Sequence, residues 1–133
     1  MSTPESRPPI DDDIIELAGL VFDAARAGDT EGIRNYLDAG VPVNLTNGAG
    51  DNLVMLASYH GHAELTALLV ERGADVNSRN DRGQTPLAGA VFKGYTEIFR
   101  ILAEAGADPD AGSPTARDTA VFFKRQEMLD LLG

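Results

Sequence analysis

Residues Asn80 to Asp110 read NDRGQTPLAGAVFKGYTEIFRILAEAGADPD, and the punctuation of this stretch decides the fold. Asp81-Arg82-Gly83 is a turn signal, because glycine reaches backbone angles that other residues avoid. Thr85 can cap a helix and Pro86 suits its first turn. The spacing predicts one helix from Thr85 to Lys93 and, after Gly94, a second from Thr96 to Ala105, stopped by Gly106. The pattern is helix, tight turn, helix, extended loop.

The same text recurs upstream. Gly28, Gly61 and Gly94 step by 33 residues, and so do Gly40, Gly73 and Gly106. Ala24, Ala57 and Ala90 keep the step, as do Glu31, Glu64 and Glu97, then Tyr36, Leu69 and Leu102, then Asn44, Asn77 and Asp110. A fixed period in this range means stacked helix-turn-helix units, each too small to bury its own apolar face without a neighbour. The units are expected at approximately 14–46, 47–79, 80–112 and 113–133, in one domain from 11 to 133. Residues 1–10 are polar, hold three prolines and are expected to form a flexible arm.

Further helices are predicted from Thr30 to about Ala39, Asn52 to His60 and Ala63 to Arg72. The first helix, opened by Asp11-Asp12-Asp13, should be longer than its counterparts, its carboxylates facing the positive end of the helix dipole. The last unit aligns with a step of 30, Thr115 on Thr85, Ala120 on Ala90, Val121 on Val91 and Glu127 on Glu97. That puts a three-residue shortening in the loop 106–113 and drops Arg117 into the apolar column of Val54 and Leu87. The chain then stops partway through its final helix, with Lys124, Arg125, Gln126 and Asp130 expected to wet the outer face.

Thr85-Pro86-Leu87, Gly61-His62-Ala63-Glu64-Leu65, Leu68-Leu69 and Gly73-Ala74-Asp75-Val76-Asn77 resemble the ankyrin repeat. The resemblance runs from about Leu17 to Leu132, with two departures. Asn52-Leu53 stands where the family prefers Thr-Pro, and Met55 or Ala88 stands where it usually has His. The resemblance implies an all-α solenoid of about four helix-turn-helix repeats with finger loops, capped at both ends. It also implies a partner surface made of finger tips and the outer side of each first helix. Transferred column by column, the tips are Gly48, Ala49, Asp51, Arg79, Asp81, Arg82 and Gln84. The helix positions are Arg26, Tyr59, Phe92 and Phe122, followed by Ala27, His60, Lys93 and Phe123.

From these columns the partner-binding residues are expected to be Tyr59, His60, Arg79, Asp81, Arg82, Gln84, Phe92, Lys93 and Phe122. Aromatic side chains exposed in a groove are typical binding anchors; the same rings could instead pack repeat against repeat. Arg79, Arg82 and Lys93 would make a small basic spot, suited to a partner segment with carboxylates and an apolar side chain. Asn44 and Asn77 occupy the finger column that asparaginyl hydroxylation targets in some ankyrin proteins, although a structural role in the loop is the plainer expectation.

Composition narrows the chemistry. The chain has no Cys, which excludes disulfides, thiolate metal sites and thiol catalysis and fits a reducing compartment. Its net charge of −10, from 21 acids and 11 bases, repels phosphate backbones and argues against nucleic acid. No apolar run approaches the roughly 20 residues of a membrane helix, and no signal segment opens the sequence. A cytoplasmic monomer is expected.

His60 and His62 do not share a helical face, no further ligand sits at metal spacing, and His62 falls in a turn column. Ser58, His60 and Asp51 supply triad residue types without the Gly-x-Ser-x-Gly elbow, and Ser58 shares a packing column with Ala25 and Val91. The expectation is a non-enzymatic module that binds a partner protein through its concave groove and finger loops, with no cofactor and no metal. A dedicated accessory or chaperone-like subunit of an enzyme is the alternative, and a small-molecule binder the weaker one.

Overall fold

A computed structural model describes residues 12–132. The arm expected at 1–10, together with Asp11, lies outside the described residues. The helices are α1 (Asp12–Ala27), α2 (Thr30–Asp38), α3 (Leu53–Tyr59), α4 (Ala63–Glu71), α5 (Pro86–Lys93), α6 (Thr96–Glu104), α7 (Ala116–Phe122) and α8 (Gln126–Leu132). Among the described residues there is no strand; Thr46 and Asn52 form an isolated bridge. Successive pairs make four helical hairpins. The odd helices pack in sequence as one layer and the even helices as a second. As expected, α1 is the longest helix, and Asp12 and Asp13 stand in its first turn.

Each later first helix starts on a side-chain cap. Thr85 accepts from the Ala88 amide and Thr115 from the Asp118 amide. Asn52, the residue that departs from Thr-Pro, does the same job: its Oδ1 accepts from the Met55 amide at 3.0 Å. Its Nδ2 also donates to the Asp75 carbonyl at 3.1 Å, so one buried side chain both caps α3 and ties it to the next finger loop. Such a cap stabilises by about 1 kcal/mol.

The hairpin turns show why glycine recurs every 33 residues. Gly28, Gly61 and Gly94 have φ of 75°, 84° and 77°. A Cβ on Gly28 would strike the His62 ring, one on Gly61 would meet Tyr95 at 3.1 Å, and one on Gly94 would meet the Arg125 guanidinium at 3.2 Å. Each turn is thus the seat of a side chain from the following repeat. His62 Nε2 reaches the Arg26 carbonyl at 2.6 Å, which gives the histidine the structural role its column suggested. Arg125 takes the equivalent position, donating to the Val91 and Phe92 carbonyls at 3.2 Å each.

Between the layers Ile33, Leu53, Leu65, Leu69, Leu87, Phe99 and Leu102 are fully buried. Each is worth roughly 1.5–3 kcal/mol of apolar burial. Asparagines staple the loops across the period. Asn44 Oδ1 accepts from the Asp75 amide at 2.8 Å, and Asn77 Oδ1 accepts from the Asp108 amide at 2.7 Å.

The last unit keeps the step of 30. The loop from α6 to α7 is three residues shorter than that from α4 to α5, and Thr115 caps where Thr85 does. Arg117, in the column of Leu87, turns outward to Asp110 at 2.9 Å. Of the residues expected to wet the outer face, Lys124, Gln126 and Asp130 are exposed and Arg125 is half-buried. Arg125 points back onto α5 rather than outward, and Val121 is 59% exposed where its counterpart Val91 is 0% exposed. Lys124, at the glycine position of this turn, has φ of 57°.

Candidate partner-binding groove

The odd-helix layer and the finger loops enclose one groove of about 870 Å³. The fingers are built by asparagine. Asn47 Oδ1 accepts from the Ala49 and Asp51 amides, and Asn80 Oδ1 accepts from the Arg82 and Gln84 amides, all at 2.9–3.0 Å. Neighbouring fingers join where the Asp81 amide donates to the Ala49 carbonyl at 2.9 Å and the Ser113 amide to the Gly83 carbonyl at 3.0 Å. A side chain also crosses: Asn80 Nδ2 donates to Asp51 Oδ1 at 2.9 Å. This lattice holds the tips as one wall.

The opposite wall comes from the ends of the first helices. Tyr59, Phe92, Phe122 and Phe123 are 40%, 50%, 77% and 40% exposed, and all line the groove. Their exposure separates them from the stacking residues Ser58 and Val91, which are 0% exposed. Phe123 bridges its neighbours edge-on, 5.5 Å from Phe92 and 5.0 Å from Phe122. The floor is Met55, Ala88 and Gly89. Gly89 sits mid-helix, where glycine costs about 1 kcal/mol against alanine; a Cβ there would lie 3.3 Å from the Tyr59 ring.

Of the expected contact residues, Tyr59, His60, Asp81, Arg82, Gln84, Phe92 and Phe122 line the groove. Arg79 and Lys93 do not. The Lys93 ammonium lies over the Tyr59 ring, 4.9 Å from its centroid. Arg79, Arg82 and Lys93 therefore do not converge on the groove as a basic spot. Ala49, Asp51, Arg26 and Phe123, also read from the columns, are present. Asn80, Pro114, Asp118 and Thr119 were missed, as were Met55, Ala88 and Gly89; Asp118 stands in the column of Met55 and Ala88, whose apolar members look like packing residues.

Burial lowers the His60 imidazole below its ordinary value, with His62, Arg26 and Lys93 adding in the same direction. The His60 and Tyr59 rings meet nearly at right angles, their centroids 5.8 Å apart. Ser58 is fully buried and its hydroxyl donates to the Met55 carbonyl at 3.2 Å, a packing role.

Stacked helical hairpins with linked fingers and an aromatic groove define a helical repeat solenoid. The family model for ankyrin repeats, in three copies, matches residues 21–113. The chain belongs to the ankyrin repeat family, whose members are generally protein-interaction modules and typically non-enzymatic. It is similar to an ankyrin repeat protein of Pseudomonas aeruginosa, with 44% identity over 66 residues, covering 50% of this chain and 39% of that protein. The matched part thus spans about two fifths of the relative's length. Among the described residues no helix is long and apolar enough to cross a membrane.

Proposed function

We propose that this chain is a non-enzymatic module that takes a segment of a partner protein along the groove. Tyr59, Phe92 and Phe122 are its apolar anchors. His60, Asp81, Arg82 and Gln84 form the polar rim, with Arg79 and Lys93 flanking it. One observation carries this reading: four aromatic side chains, each at least 40% exposed, share a single groove instead of the core. Rings held this way by a rigid scaffold lose little freedom on binding, which is what makes anchors effective.

The test is capture of a partner by native protein beside the Tyr59→Ala, Phe92→Ala double variant, with helicity checked by circular dichroism. A protein retained by the native form and lost by the equally helical variant supports the groove. A protein retained equally by both removes the groove from the binding surface.

A further inference from the structure

The groove changes character along its length. Met55, Ala88 and Asp118 occupy equivalent positions on α3, α5 and α7, and all three line it. The first two are buried and apolar; the third is an exposed carboxylate. Among the described residues no ion pair or side-chain hydrogen bond engages the Asp118 carboxylate; neighbouring Arg117 feels its charge but is bonded to Asp110. One turn further along α7 stands Phe122, 77% exposed, with Phe123 against it and Phe92 on the far side of Phe123. Phenyl faces carry negative potential. A free carboxylate beside a cluster of phenyl rings is the chemistry that holds a guanidinium or an ammonium.

The other charges of the groove are largely taken. Asp51 accepts from Asn80 at 2.9 Å, and Arg26 is paired with Asp23 at 3.1 Å. Among the described residues Asp81 and Arg82 are unpaired neighbours of opposite sign at the finger tip, and the Lys93 ammonium lies over the Tyr59 ring at the other end of the groove from Asp118. A net charge of −10 also steers basic segments inward and acidic ones away.

Building on the groove reading, we infer that the occupant is a basic peptide segment of the partner. It places an arginine or lysine on Asp118 beside Phe122 and an apolar side chain over the floor of Met55, Ala88 and Gly89. Packed helices lie about 8–10 Å apart, and an extended chain advances about 3.3 Å per residue. In an extended segment the base and the apolar residue are therefore about three positions apart.

The probe is a displayed library of linear peptides, selected on the full native chain and on Asp118→Asn, Asp118→Lys and Phe122→Ala variants. Thermal melts confirm that each variant folds; if Asp118→Lys does not, Asp118→Asn carries the test. The native protein should enrich peptides with a base about three residues from an apolar side chain. A synthetic copy should bind Asp118→Asn about tenfold or more weakly, the usual loss for a charge-assisted contact. Asp118→Lys should select acidic residues at the same place. Peptides that need Phe122 but show no basic preference, or keep it on Asp118→Lys, overturn this inference and leave the groove reading standing. No enrichment by the native chain, or peptides indifferent to Phe122, overturns both.

Discussion

Lys124→Gly should stabilise the protein. The turn between α7 and α8 copies those at Gly28, Gly61 and Gly94, yet carries lysine at φ of 57°. Holding an L side chain in the left-handed region costs roughly 1–2 kcal/mol, and glycine does not pay it. Against this stands the greater freedom glycine gives the unfolded chain, about 0.5–1 kcal/mol. The Lys124 side chain is exposed, and its hydrogen bonds are the backbone ones, to Val121 and from Gln126, which glycine keeps. The net gain should be about 0.5–1 kcal/mol, a rise in Tm of roughly 2–5 °C for a domain of this size. Gly94→Ala should do the opposite, because the new Cβ would sit 3.2 Å from the Arg125 guanidinium in addition to the backbone cost. Urea melts of the native protein and both variants measure this. An unchanged or lowered midpoint for Lys124→Gly would refute the claim that the glycine column is set by backbone angle at this turn.

Asn77→Ala should cost more than Asn44→Ala in the same melts. Asn77 makes two inter-loop bonds, from the Asp108 amide and to the Gly106 carbonyl, where Asn44 accepts from Asp75 alone; the costs should be about 2 and 1 kcal/mol. For His60, the folded state favours the neutral ring. At high pH neither state is protonated and no stability is lost. As pH falls through the ordinary imidazole value the unfolded chain takes its proton first, so stability declines until the folded ring titrates too. His60→Gln should flatten this part of the profile between about pH 7 and 5, read as urea midpoints. An equal slope in both proteins would remove His60 as its source.

The architecture was legible because its causes are local and recurrent. A left-handed turn that must also admit the next repeat's side chain forces glycine, so Gly28, Gly61 and Gly94 mark the period in plain sight. Caps are likewise local, which is why Thr115 fixed the register of the last unit. The aromatic wall followed from the same columns. What could not be read was direction. Lys93 and Arg79 share contact columns with groove residues, but a long side chain chooses its own path, and Lys93 chose the Tyr59 ring. Asp118 escaped notice because the other members of its column, Met55 and Ala88, are apolar and buried, and because a carboxylate is unremarkable until its neighbours are known to be engaged. Arg125 looked like a solvated end residue; only the bare turn at Gly94 explains why it folds back.

The two layers contact each other within each hairpin, and successive hairpins contact one another along each layer. Among the described residues a pull along the stack is therefore borne by hairpin-to-hairpin seams in series, with no main contact spanning more than one seam. The weakest seam sets the force at which extension begins. Each released unit of 33 residues then adds roughly 110 Å of slack chain. Under tension the molecule is a stepped extender, lengthening by peeling rather than by stretching.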